Sequence, residues 1–121
     1  MLDGVFARGT TPTQIFPIPG DLTKKDFLDF TISYRQKGKT ILVKRKEDSY
    51  DLPKEEVDSE KNIIVVLSQA ETLMFNPNIK IVEVQVRGAT VGYDIIPMGE
   101  YRLRLEDAFD EGEFDLESLN G

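Results

Sequence analysis

The chain contains no cysteine, no histidine and no tryptophan in its 121 residues. Without cysteine there are no disulfides and no thiol nucleophile, and without either cysteine or histidine the usual zinc ligand sets are excluded. Imidazole-based acid–base chemistry is excluded as well. The lack of tryptophan removes the side chain best suited to stacking on a sugar ring. No apolar run reaches transmembrane length, and Met1-Leu2-Asp3-Gly4-Val5-Phe6 offers neither a basic leader nor the apolar core of a signal peptide. The expectation from these absences is one domain that stays where it is made, holds itself together by burial, and uses no cofactor or metal.

Charge is plentiful but unevenly placed. The net charge is −7, with 15 bases and 22 acids. Seven acids and no base lie between Glu106 and Glu117, and the residues before Glu106 balance. The acidity therefore belongs to a tail. Arg35, Lys37, Lys39, Lys44, Arg45 and Lys46 form a basic run uninterrupted by any acid. An acidic chain whose basic run has no interleaved aromatics is a poor partner for nucleic acid, so none is expected, and no membrane contact either.

The most regular stretch is Ile79 to Arg87, where Val82, Val84 and Val86 alternate with Glu83, Gln85 and Arg87. That period of two predicts a long antiparallel strand with one face on a core. Leu28, Phe30, Ile32 and Tyr34 alternate in the same way and predict a second strand with those four inward. Gln36-Lys37-Gly38-Lys39 then reads as a hairpin loop leading into Thr40 to Arg45. Residues 13–18 predict a short edge strand, because Pro17 cannot donate to a ladder. Residues 46–61 predict a polar loop with a ragged edge segment near Tyr50 and Leu52. Asn62 to Leu67 is continuously apolar and β-branched and predicts a buried strand.

One helical signal interrupts the strands. Ser68-Gln69-Ala70-Glu71 is a capping-box sequence, and the helix it starts should stop before Pro77. Gly88 and Gly92 bracket an expected turn, after which Pro97 and Gly99 put a bulge in the returning strand. Tyr101, Leu103 and Leu105 should face inward. The expected fold is all-β: a two-sheet sandwich over residues 13–105 with one short helical crossover, preceded by a flexible arm at 1–12 and followed by an acidic tail at 106–121.

No catalytic residue emerges from this pattern. Glu55-Glu56 and Asp110-Glu111 are carboxylate pairs without a pocket to split their pKa values, and capping already explains Ser68. Counting a calcium loop from Asp107 puts Phe109 where a ligand belongs, so the tail fails as a metal site. The basic run is read as an edge guarded against strand pairing, or as a surface for the acidic tail of another copy or for another acidic protein.

Several segments together carry a resemblance. They are Arg8 to Thr13 before an apolar strand, a strand ending Tyr34 to Lys39, Val66 to Thr72, Val82 to Arg87, and Glu106-Asp107. In this order the chain resembles small proteins encoded in tailed phages and prophages of Gram-positive bacteria. Those in turn are similar in layout to the N-terminal β-sandwich domain of phage baseplate upper proteins. The resemblance implies an immunoglobulin-like sandwich and a non-enzymatic tail or baseplate protein of the virion, assembled in the bacterial cytoplasm. It also implies an oligomer among other phage structural proteins. Pro97-Met98-Gly99 and the long acidic tail depart from the pattern, and no site residue carries over. A small carbohydrate-binding sandwich is the alternative reading.

Overall fold

Strand β6 (Ile81–Thr90) shows the alternation its sequence predicts, with Val82, Val84 and Val86 buried and Glu83 and Arg87 exposed. The computed structural model describes residues 2–53 and 55–106. Around β6 stand β1 (Gly4–Ala7), β7 (Ile95–Glu106), β3 (Phe27–Gln36) and β4 (Lys39–Arg45), in the sheet order β1-β7-β6-β3-β4. A second sheet pairs β2 (Thr13–Pro17) with β5 (Asn62–Val66). All pairings are antiparallel except β1 with β7. Phe16, Ile63 and Val65 from the small sheet share one core cluster with Phe30, Ile32, Tyr34, Val84 and Leu105 from the large one.

The two hairpins β3–β4 and β6–β7 lie side by side in one sheet, while β2 and β5, far apart in sequence, pair in the other. That is the strand distribution of an immunoglobulin-like sandwich. The crossover between the sheets is α1 (Gln69–Thr72), a single turn. Its capping box is closed, with Glu71 N–H donating to Ser68 Oγ at 3.1 Å and Ser68 N–H to Glu71 Oε1 at 2.8 Å. The β3–β4 turn is tight. Lys37 and Gly38 both have positive φ, 49° and 78°, as a two-residue primed turn requires.

Three bulges shift what strict alternation predicts. Between Phe27 and Asp29 the β3–β6 register slips, so Phe27 takes the inner position and Leu28, expected inward, is 52% exposed. Between Tyr34 and Arg35 the β3–β4 register slips around Ile41, which lets both Ile41 and Leu42 pack on the core. Met98 is the extra residue of β7, between Pro97 opposite Arg87 and Gly99 opposite Val86, and it is buried. The bulge expected at Pro97 and Gly99 is therefore present.

Two further expectations need correction. Gly88 is not at a turn: it lies inside β6 with the Phe27 ring in the space a Cβ would need, and the turn is Val91–Asp94. The segment 1–12 is not a free arm. Its residues 4–7 pair with β7, and Phe6 is buried, its ring edge-on to Phe75 at 5.4 Å. Arg8 then donates from Nε to the Phe75 carbonyl at 3.0 Å, and Gly9 N–H donates to Thr72 Oγ1 at 2.9 Å. A four-residue strand with a single buried side chain is too short for its period to be read. The acidic tail from Asp107 onward lies outside the described residues.

Tyr34 links the sheets. Its buried phenol donates to Gln14 Oε1 on β2, and burial, with the Glu71 carboxylate adding, holds the phenol above its ordinary titration range. Tyr34→Phe should cost about 1 to 2 kcal/mol because the Gln14 amide loses its donor, which urea unfolding would measure.

Candidate interaction surface

Residues 10–20 carry no charge, in a chain that is 31% charged. They include β2, and the geometry of that strand decides which of its backbone groups are free. Leu67 N–H donates to the Pro12 carbonyl at 3.0 Å and Ile18 N–H to the Lys61 carbonyl at 2.8 Å. Antiparallel ladders alternate, so the even-numbered residues of β2 bond to β5 while Thr13, Ile15 and Pro17 turn their backbone groups outward. Ile64, opposite Ile15, agrees: its carbonyl accepts from Tyr50 N–H on the far side of β5. Pro17 thus stands where a missing N–H costs the ladder nothing. Among the described residues nothing pairs with the outer edge of β2, which offers two N–H donors and three carbonyls.

Beside this edge is an open groove of about 350 Å³, walled by Asp3 and Val5 on one side and Thr13 and Ile15 on the other. Its floor includes the paired rings of Phe16 and Tyr101, with centroids 5.1 Å apart. Burial raises the Tyr101 phenol pKa, and Asp3 raises it further, so the hydroxyl stays protonated at neutral pH. Val5 and Ile15 are 61% and 45% exposed. The walls mix apolar Val5 and Ile15 with polar Asp3, Thr13 and backbone, which suits an extended polypeptide.

The other sheet edges differ. On β4, Lys44 stands opposite Ile32 on the inner face and its Nζ meets the Glu71 carboxylate at 2.7 Å, an inward charge of the kind that blocks strand addition. β5 is partly covered through Tyr50, and β1 is only four residues long.

The basic run, expected as a free surface, is largely engaged within the fold. Lys44 holds Glu71, Arg45 pairs with Asp29 at 3.2 Å, and Lys46 Nζ donates to the Phe27 carbonyl at 2.5 Å. Arg35 donates to the Gly38 carbonyl at 2.8 Å. Lys37 and Lys39 remain exposed at the hairpin. Bases that alternate along a strand face both ways, so proximity in sequence does not make a patch.

Among the acids, burial would raise the Glu71 pKa, but the bonds from Lys44 and Ser68 outweigh it and the net shift is downward from 4.5. The folded carboxyl therefore binds its proton less tightly than the unfolded one. Its contribution to stability is complete above the unfolded value and is lost as pH falls through the folded one. Glu71→Gln should flatten part of the acid limb of stability, read as urea midpoints from about pH 7 to about pH 3. Asp29 shifts the same way despite burial, through bonds from Lys46, Phe30 and Arg45, so some acid sensitivity persists.

The remaining sequence candidates are dispersed. Ser68 serves as the helix cap, and Glu55 and Glu56 are exposed, while Asp110 and Glu111 lie outside the described residues. Among the described residues no three His, Cys, Asp or Glu side chains gather as metal ligands, and no helix is long and apolar enough to cross a membrane. The edge position of β2 was foreshadowed by Pro17; the lack of charge over residues 10–20 is a further signal in the sequence. The groove depends on β1, which had no readable period.

No protein-family model matches the chain, and no curated protein sequence matches it. Among solved structures, it is similar to the immunoglobulin-like domain of mouse leukocyte-associated immunoglobulin-like receptor 1, solved as a strand-swapped dimer. The TM-score is 0.44 and the identity 13%, over 84% of this chain and 85% of that one.

Proposed function

We propose that this chain is a non-enzymatic structural or accessory protein of a phage or prophage particle, of the tail or baseplate, that acts by protein–protein contact. The uncharged, unpaired edge of β2 beside an open groove is the observation that carries the contact role. The placement in a particle rests on the resemblance of Arg8 to Thr13, Tyr34 to Lys39, Val66 to Thr72 and Val82 to Arg87 to the small phage proteins. Its partners are then other particle proteins and further copies of itself. A carbohydrate-binding module is less well supported, because Tyr93 is the one exposed aromatic side chain among the described residues and sugar sites commonly use several.

The test is to purify particles from a producing host and weigh their proteins by quantitative mass spectrometry, with and without the gene. The chain should appear at a fixed ratio to tail proteins, or its loss should stall tail assembly. Normal particles that neither contain nor need the chain would refute the reading.

A further inference from the structure

We propose that a second copy of this chain pairs antiparallel with β2 across a two-fold axis at Ile15, joining two β2–β5 sheets into one four-stranded sheet. This rests on the reading of the β2 edge as a contact surface and names its occupant.

The edge is complementary to itself. In this register Ile15 stands opposite Ile15 of the other copy, and each N–H can donate to the other's carbonyl. Thr13 falls opposite Pro17, so the Thr13 N–H of each copy meets a Pro17 carbonyl. Every outward donor of the edge is then used, and the only unused carbonyls are those of Thr13, facing a proline that has nothing to donate. A two-fold axis makes all of these contacts occur twice, which is what an isologous interface requires. The outward Ile15 side chains become direct cross-strand neighbours, covering apolar surface that is exposed in the single chain.

Charge favours the same occupant. Outside the acidic tail the charges balance, so a contact between copies need only avoid setting like charges against each other, and residues 10–20 beside this open edge carry none. The β4 edge, by contrast, would bring Lys39 and Arg45 of two copies together.

Two variants test this without touching the β2–β5 ladder. Ile15→Pro removes an N–H that points away from β5, as Pro17 already does two residues on. Ile15→Lys places two like charges across the axis. Sedimentation from about 10 µM to about 1 mM should show a monomer–dimer equilibrium in the full chain, weakened roughly tenfold or more by either variant. Because the chain has no cysteine, Ile15→Cys should cross-link to itself with a short bismaleimide, while the exposed Thr40→Cys on β4 should not. If circular dichroism shows Ile15→Pro to be unfolded, Ile15→Lys decides.

A chain that stays monomeric at about 1 mM would overturn the pairing, as would a dimer indifferent to Ile15→Lys or cross-linked through Thr40 instead. A chain found in particles that does not self-pair overturns this inference alone, and a self-pairing chain absent from particles overturns the particle reading alone.

Discussion

Gly88→Ala should destabilise the chain by about 3 kcal/mol, at the upper end for overpacking a core. A Cβ at Gly88 would lie 2.5 Å from both Cδ1 and Cε1 of Phe27 and 2.9 Å from Met98 Cε. Phe27 is 1% exposed and also packs edge-on against Phe30, with ring centroids 6.5 Å apart, so the ring has nowhere to go. The effect is steric, since Gly88 has an ordinary strand backbone. Shrinking the ring should therefore relieve it. In urea unfolding, Phe27→Leu combined with Gly88→Ala should cost clearly less than the two single changes added together. Simple additivity would mean that the ring does not hold this glycine in place.

Gln36→Leu should cost a similar amount, about 3 kcal/mol, for the opposite reason. Gln36 is 2% exposed at the end of β3, and its amide is fully used. Nε2 donates to the carbonyls of Asn76 and Ile79 at 3.1 and 2.9 Å, and Oε1 accepts from Asn76 N–H at 2.8 Å. One side chain thus fixes the connection that carries the chain from α1 into β6. Leucine fills the space but leaves the Asn76 N–H and the Ile79 carbonyl without partners, and the Asn76 carbonyl with only its bond from Ile79 N–H at 3.1 Å. Amide exchange at Asn76 should quicken by more than the global loss of stability explains, because the 76–79 turn opens locally. A uniform change in exchange would assign Gln36 a packing role only.

Both residues show where sequence pattern stops being informative. The alternation of β6 and β3 was legible because period-two burial writes itself into side-chain type, and the capping box because its two partners are three residues apart. Gly88 looked like a turn residue, since a glycine kept small by a ring across the sheet has the same letter as one needed for positive φ. Gln36 looked like a hairpin residue, because its three bonds go to residues some forty positions away. Leu28 fits an inward pattern that a one-residue bulge reverses.

The candidate surface divides in the same way. Pro17 points to an edge, but whether an edge is open depends on its neighbours. β5 needs only Tyr50 to cover its Ile64 carbonyl, whereas β2 has a groove where another strand could lie. The basic run illustrates the reverse. Of six bases that look like a surface in sequence, four are drawn into the fold by Asp29, Glu71 and backbone carbonyls. The immunoglobulin-like layout itself assigns no role, because sandwiches of this kind support many.

β2 presents the backbone donors of Thr13 and Ile15 to a partner. Hydrogen–deuterium exchange of the full chain, dilute and concentrated, tests it at single amides. In dilute solution Thr13 and Ile15 should exchange quickly while Gln14 and Phe16, bonded to β5, exchange slowly. On concentration Thr13 and Ile15 should slow as they find partners. If those two amides are already protected in the dilute chain, the edge is not free for a partner; if they stay unprotected at every concentration, it does not pair with a second copy.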